Sequence, residues 1–323
     1  MNSFDCLASK YLSVIESSLK NFLNEKDFCA EMASYHLSTG GKRIRALIPL
    51  MVFDAFGVDP ARAVPIGAAV EMIHNATLVH DDLQDGDQQR RGSPTVWMKY
   101  SEAQAINCGD AMFFYALQMI DTCDFSLDCK FQIQKLAMQA TLAVIEGQAQ
   151  EFKMKQEVMP NVARYLKVIK GKTSGLFSLP VAAALLATGF DQQKISIGEK
   201  VAHDLGVIFQ IQDDLIDIYG EKNRGQKASD IAEGKISFLV AQVNQVASQG
   251  DKEVLAHILA TPRAKTSAVQ IDSALGIFEK YKAREAATDF IEKIKAEISS
   301  SEDLLQYPEI HQVLLELSDL FFR

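Results

Sequence analysis

The chain has 323 residues, 48% of them apolar, enough to bury a large core as one big domain or two small ones. A formal net charge of −9 excludes a generic nucleic-acid binder, which needs a broad basic field, and requires any anionic substrate to meet locally gathered positive charge. Five cysteines, Cys6, Cys29, Cys108, Cys123 and Cys129, form no CxxC pair, which argues against a disulfide framework or a structural zinc site and for a reducing compartment.

Helical periodicity runs through nearly the whole chain and strand alternation is almost absent, so the expected fold is all-α, a single domain over 1–323 with roughly ten or more helices. The N-terminal MNSFDCLASKYLSVIESSLK is amphipathic and carries acids, unlike a signal peptide. No stretch has the length of a membrane span, and a cytoplasmic protein without a stable membrane anchor is expected. Pro60, Pro94, Pro160 and Pro262 mark expected helix starts or breaks. No linker or fixed-period repeat divides the chain.

The first chemical motif is TGGKRIR. Gly40 and Gly41 allow a tight turn and a close backbone approach, and Lys42, Arg43 and Arg45 form a basic triplet at a helix start, placed to grip a phosphate. A later helical segment, after Pro60, runs into HDDLQDGDQQRRG. Asp81, Asp82 and Asp85 stand at i, i+1 and i+4, so Asp81 and Asp85 share one helical face a turn apart. Like charges so close repel unless divalent cations lie between them, and Mg²⁺ favours a few carboxylates completed by phosphate oxygens and water. Arg90 and Arg91 follow, able to hold diphosphate oxygens in bidentate fashion. His74 lies seven residues before Asp81 and eleven before Asp85, on their helix face.

Downstream, GDAMFFYALQMI carries Phe113 and Phe114, and KGKTSGLF carries Lys170, Lys172 and Thr173. In FQIQDDLIDIYG the aspartate spacing recurs as Asp213, Asp214 and Asp217, on a helix that also holds Gln210. Among apolar neighbours these carboxylates are partly removed from water, a cost that a cation offsets. The expectation is that the two acidic clusters face one cavity and share metal ions, with Mg²⁺ as intermediary to an anionic substrate.

These four motifs, in this order, resemble those of the trans-polyprenyl diphosphate synthases, and the resemblance covers nearly the whole chain. It implies the all-α isoprenoid synthase fold and a Mg²⁺-dependent prenyltransferase, most often a homodimer. The reaction it implies condenses isopentenyl diphosphate with an allylic diphosphate. By resemblance Lys42, Arg45, His74 and Arg91 hold the isopentenyl diphosphate, and Arg90, Lys172 and Lys235 the allylic diphosphate. Lys172, Thr173 and Gln210 lie beside the allylic group. Asp81, Asp82, Asp85, Asp213, Asp214 and Asp217 form the metal clusters, with Asp81, Asp85 and Asp213 matching the ligands. The segment EKNRGQKASDIAEGKIS departs from the family's Gly-Lys-Pro loop. Gly225 stands where its lysine belongs, and either Lys227 or Arg224 supplies the charge from a shifted place, Lys227 being favoured.

In this family the product grows beneath the first aspartate motif. Ala76 and Thr77, about a turn earlier, are small and leave the way open, whereas Phe113 or Phe114 closes it lower down. A geranylgeranyl or longer product is expected, with farnesyl as the alternative. Two other classes compete. A terpene cyclase would not repeat DDLID as its second motif, and a non-catalytic subunit of a heteromeric synthase would have lost aspartates or the basic motif.

Overall fold

The computed structural model of the chain describes residues 3–157, 159–220 and 228–321. The described residues form seventeen α-helical segments. They are α1 (Ser3–Leu23), α2 (Phe28–Ser38), α3 (Ile44–Ala55), α4 (Val64–Gln84), α5 (Val96–Lys99), α6 (Glu102–Asp121), α7 (Leu127–Met154), α8 (Val162–Ile169), α9 (Gly175–Ala187) and α10 (Gln192–Tyr219). After them come α11 (Ser229–Ala232), α12 (Phe238–Val246), α13 (Gln249–Leu259), α14 (Ala268–Lys280), α15 (Ala283–Ser299), α16 (Glu302–Leu305) and α17 (Pro308–Phe321). Among the described residues no helix is long and apolar enough to cross a membrane.

Local chemistry sets many of the boundaries. Asp27, Asn161, Ser237 and Ser248 each accept a backbone N–H from the first turn of α2, α8, α12 and α13. Ser267 and Gln270 form a reciprocal capping box on α14. Pro60 opens a short 3-10 turn capped by Asp59, ahead of α4. The expectation of almost no strand meets one exception: β1 (Gln89–Arg90) and β2 (Ser93–Pro94) pair antiparallel as a minimal hairpin. Its tip, Arg91 and Gly92, has φ of +53° and +78°, the pair of positive values that a two-residue turn of this hand demands.

The chain falls into two compact units. The first comprises residues 1–142, 176–202 and 303–316. Its centre is α4, packed on α6, α3 and α1. Gly67 brings α3 and α4 together, since a Cβ there would stand 2.2 Å from the carbonyl oxygen of Ala46. Leu47, Ile48, Met72, Ala76 and Met112 are buried in this unit. The second comprises 143–175, 203–302 and 317–323, where α12 packs on α15, α14 and α8, and α13 on α14. Its core gathers Leu239, Val240, Val243, Leu255, Ala274 and Phe278.

Candidate active site

In the first unit, the glycine pair of TGGKRIR carries φ of +92° at Gly40 and +144° at Gly41, conformations only glycine adopts readily. The basic triplet read from the sequence then divides. Lys42 is exposed, whereas Arg43, itself left-handed at φ +49°, turns inward and is fully buried. Its guanidinium donates to Glu16 (2.7 Å), Glu71 (3.2 Å) and the carbonyl of Leu37 (2.8 Å), so Arg43 braces the loop rather than gripping a phosphate. Two carboxylates and a carbonyl make burial of that cation tolerable.

Arg45 lies over the ring of Phe177, 4.5 Å from its centroid, and donates to Nε2 of His74 at 3.3 Å. A guanidinium can only donate, so Nε2 of His74 accepts and the ring proton sits on Nδ1. That Nδ1 is buried and has no hydrogen-bond partner among the described residues. Burial first, then Arg45, Arg90 and Arg91, hold His74 well below the usual imidazole range. Arg91, at the hairpin tip, lays its guanidinium against Gly41, where a Cβ would stand 3.0 Å from both terminal nitrogens. Two motifs fifty residues apart in the sequence thus meet, with His36 buried among their cations. Burial, then Arg90, Arg91 and Arg43, lower His36 to about 3.

At the end of α4, Asp81 and Asp85 are half-exposed one turn apart, the amide of Asp85 bonding to the carbonyl of Asp81 at 2.8 Å. Asp82 is different. It is buried, and its Oδ1 accepts from Nε (2.8 Å) and Nη2 (2.6 Å) of Arg90, while Oδ2 is buried with no hydrogen-bond partner among the described residues. Burial raises Asp82 to about 6 against the opposing pull of Arg90. Arg90, read as an allylic-diphosphate contact, is therefore engaged with Asp82. Thr95 and Trp97 both bond to the carbonyl of Asp87 at 2.8 Å and fix the loop that carries the two arginines.

Ala76 is fully buried and Thr77 bonds to the carbonyl of His74 at 2.7 Å. Deeper in the same unit an apolar cavity of about 10 Å³ is bounded by Ile73 and Val70 of α4, Ile120 of α6, Ile133 of α7 and Leu179 of α9. Phe113 is half-buried, edge-on to His80. Phe114 is 67% exposed, so of the two only Phe113 points toward the interior of this unit.

In the second unit, KGKTS forms a single π turn, Lys170–Ser174, between α8 and α9. Such turns are rare and concentrate at functional sites. Two mid-helix glycines admit it. A Cβ on Gly147 would meet the Lys172 nitrogen at 2.1 Å, and one on Gly206 the Cα of Ser174 at 2.6 Å. Lys172 pairs with Glu151 at 2.5 Å. Thr173 donates to Oε1 of Gln210 at 2.9 Å, and Nε2 of Gln210 donates to Oδ1 of Asp214 at 3.1 Å.

The second aspartate cluster also divides. Asp213 is half-exposed. Asp214 is buried and its Oδ2 accepts from the Tyr165 hydroxyl and the Phe238 amide, both at 2.7 Å; burial and the charge of Asp230 nevertheless push it up to about 7. Asp217, fully buried, accepts from the Ser229 hydroxyl (2.6 Å) and the Asp230 amide (2.9 Å), holding α11 against α10. Burial of Asp214 and Asp217 is thus offset by protein donors, where the sequence suggested a cation. Lys235 pairs with Glu233 (2.8 Å) and Asp230 (3.4 Å), and Lys227 and Arg224 lie outside the described residues. Tyr165, Glu151 and Glu71 escaped the sequence reading, because none belongs to a recognisable motif. Gly147 and Gly206, unexpected in helix interiors, carried a usable signal.

An all-helical fold that carries the glycine-arginine turn, the paired aspartates and the Lys-Thr π turn is that of the isoprenoid synthase class. The polyprenyl synthetase family matches residues 26–276. The geranylgeranyl diphosphate synthase of Saccharolobus solfataricus is 35% identical over 252 residues, 76% of each chain. A short chain isoprenyl diphosphate synthase of Methanothermobacter thermautotrophicus is 34% identical, over 79% of this chain and 78% of its own. The crystal structure of geranylgeranyl pyrophosphate synthetase from Pyrococcus horikoshii superposes with a TM-score of 0.85 at 28% identity, covering 98% of this chain and 97% of its own. The chain belongs to the polyprenyl synthetase family and is a prenyltransferase.

Proposed function

We propose that this prenyltransferase joins isopentenyl diphosphate head-to-tail to an allylic diphosphate, dimethylallyl, geranyl or farnesyl, releasing diphosphate and giving a linear all-trans prenyl diphosphate of geranylgeranyl length or longer. The observation that supports the reading is the packing of Arg91 on Gly41 near the Arg45–His74 pair, which gathers the cations of two separate motifs. The relatives' names support the product class.

Lys42, Arg45 and Arg91 bring positive charge to the isopentenyl diphosphate, and neutral His74 serves the same diphosphate through its hydrogen bond with Arg45. Lys172 and Lys235, with Arg90 and Lys227, serve the allylic diphosphate. The half-exposed carboxylates of Asp81, Asp85 and Asp213 suit a hard divalent cation, and the unmatched Oδ2 of Asp82 leaves further acceptor capacity beside the first pair. When bound there, Mg²⁺ would draw charge from the allylic diphosphate and favour its departure. Asp82, Asp214 and Asp217, bonded to protein groups, position these ligands and their loops.

Thr173 and Gln210 present weakly nucleophilic oxygens to the allylic cation left by the departing diphosphate. The terminal double bond of isopentenyl diphosphate supplies the electron pair of the new carbon–carbon bond. A proton then leaves from the adjacent carbon to the released diphosphate, so no side-chain base is needed.

The reading treats both units as parts of one domain over 1–323, supported by a family match that crosses residues of each. It also makes the enzyme a homodimer, in support of which Phe114, Phe131 and Leu142 on α6 and α7 are 67%, 59% and 66% exposed, a poor surface for a lone protomer. A cytoplasmic location accords with the five free cysteines. The test is incubation of the protein with Mg²⁺, labelled isopentenyl diphosphate and each allylic starter, followed by sizing of the dephosphorylated products. Linear prenyl alcohols that disappear with Asp81→Ala are expected. Cyclic hydrocarbons, or no turnover by folded protein, would overturn the reading.

A further inference from the structure

Tyr165 sits in α8, outside the sequence motifs though close before KGKTSGLF, yet it is 2% exposed and its hydroxyl reaches a carboxylate of the second aspartate cluster. The hydrogen bonds around it run in one direction. Oδ2 of Asp214 takes the Tyr165 hydroxyl and the Phe238 amide, leaving Oδ1 to Gln210. Gln210 turns its NH2 toward Oδ1 of Asp214, the orientation that an ionised carboxylate requires of it, and its carbonyl oxygen away. That oxygen, in turn, can only accept, so Thr173 must donate to it at 2.9 Å. The hydroxyl proton of Thr173 is thereby committed to Gln210, one N–H of Gln210 is committed to Asp214, and the lone pairs of Thr173 and of the Gln210 carbonyl oxygen remain to be offered to a cation. If the amide turned over, its NH2 would meet Thr173 and the threonine proton would be redirected outward.

We infer that Tyr165 is a positioning residue for the allylic step, holding Asp214 so that Gln210 and Thr173 turn oxygen lone pairs toward the allylic cation. The inference rests on the prenyl-transfer reading and deepens it. An allylic cation is stabilised by oxygen lone pairs and repelled by the positive end of an O–H or N–H dipole, so the orientation of one buried amide separates a helpful site from a harmful one. Tyr165 touches neither diphosphate in this role, and its removal should leave substrate binding in place.

The test is a double-mutant cycle on steady-state kinetics with wild type, Tyr165→Phe, Gln210→Ala and the double variant. Tyr165→Phe is expected to lower kcat tenfold or more with KM for both diphosphates within twofold. In the Gln210→Ala background the same change should cost less than twofold, because the amide through which Tyr165 acts is gone. An equal fold-loss in both backgrounds, a parallel rise in KM, or an unchanged kcat overturns the inference. Should Tyr165→Phe fail to fold, Asp214→Asn takes its place in the cycle, since it keeps the bulk but lets the Gln210 amide turn over. Additivity of Asp214→Asn with Gln210→Ala would then remove the route by which Tyr165 acts. An inactive wild type overturns the functional reading and this inference together, whereas an active wild type with an additive cycle overturns the inference alone.

Discussion

The guanidinium of Arg91 rests on the backbone of Gly41, with 3.0 Å between its terminal nitrogens and the place where a Cβ would stand. Both residues hold positive φ, +53° and +144°, so the contact joins two backbone conformations that chains otherwise avoid. Gly41→Ala would push Arg91 away and strain the loop that carries Lys42. The expected result is a rise of about tenfold or more in KM for isopentenyl diphosphate, with KM for the allylic substrate changed far less, measured by varying each substrate at saturation of the other. An equal rise in both would deny Arg91 its assignment.

Asp81 and Asp82 are neighbours with opposite burial, and their substitutions should fail in different ways. Asp81→Asn removes a half-exposed carboxylate, so thermal stability should be unchanged while turnover falls by a hundredfold or more and the Mg²⁺ requirement shifts to higher concentration. Asp82→Ala strips the buried partner from Arg90, at a cost of about 3 kcal/mol or more, seen as a lowered denaturant midpoint in protein free of Mg²⁺. Loss of activity without loss of stability for Asp82→Ala would show that it acts on the metal instead.

The all-helical fold was legible because helical periodicity persists through long segments, and the acidic and basic motifs were legible because repelling charges at helical spacing demand an explanation. What the sequence did not reveal is which members of each cluster point inward. Arg43 and Arg45 are two residues apart in one motif, yet one is sealed by Glu16 and Glu71, whose distance in sequence gives no warning. Asp214 is likewise separated from Asp213 by Tyr165 and the Phe238 amide, groups supplied by other helices. Tertiary donors decide these roles, and single-sequence spacing carries no record of them.

Product length offers a test of the interior. Ala76 is fully buried on the face of α4 that continues down through Ile73 and Val70 to the small apolar cavity. Ala76→Phe should shorten the principal product to farnesyl length, with some loss of thermal stability from overpacking. Ile73→Ala should lengthen it by enlarging the cavity. Phe114→Ala, at a position 67% exposed, should leave the length unchanged, whereas Phe113→Ala should shift it upward. Chromatography of the dephosphorylated products decides each case, and a shift with Phe114 but not Phe113 would reverse the assignment.

His36 predicts how stability responds to acid. In the folded protein its imidazole is held at about 3 by burial and by Arg90, Arg91 and Arg43, against about 6.5 when unfolded. Between those values the unfolded chain binds a proton that the native state refuses. The contribution of neutral His36 is therefore complete above pH 6.5 and is lost as pH falls toward 3, at up to about 1.4 kcal/mol per pH unit. His74, lowered in the same direction, adds to the slope. His36→Leu removes one of these two protons, so the fall in unfolding free energy between pH 7 and pH 5 should be shallower than in wild type, by about 2 kcal/mol at most. Urea titrations at the two pH values measure it, and parallel losses in both proteins would mean that His36 is already protonated in the native state.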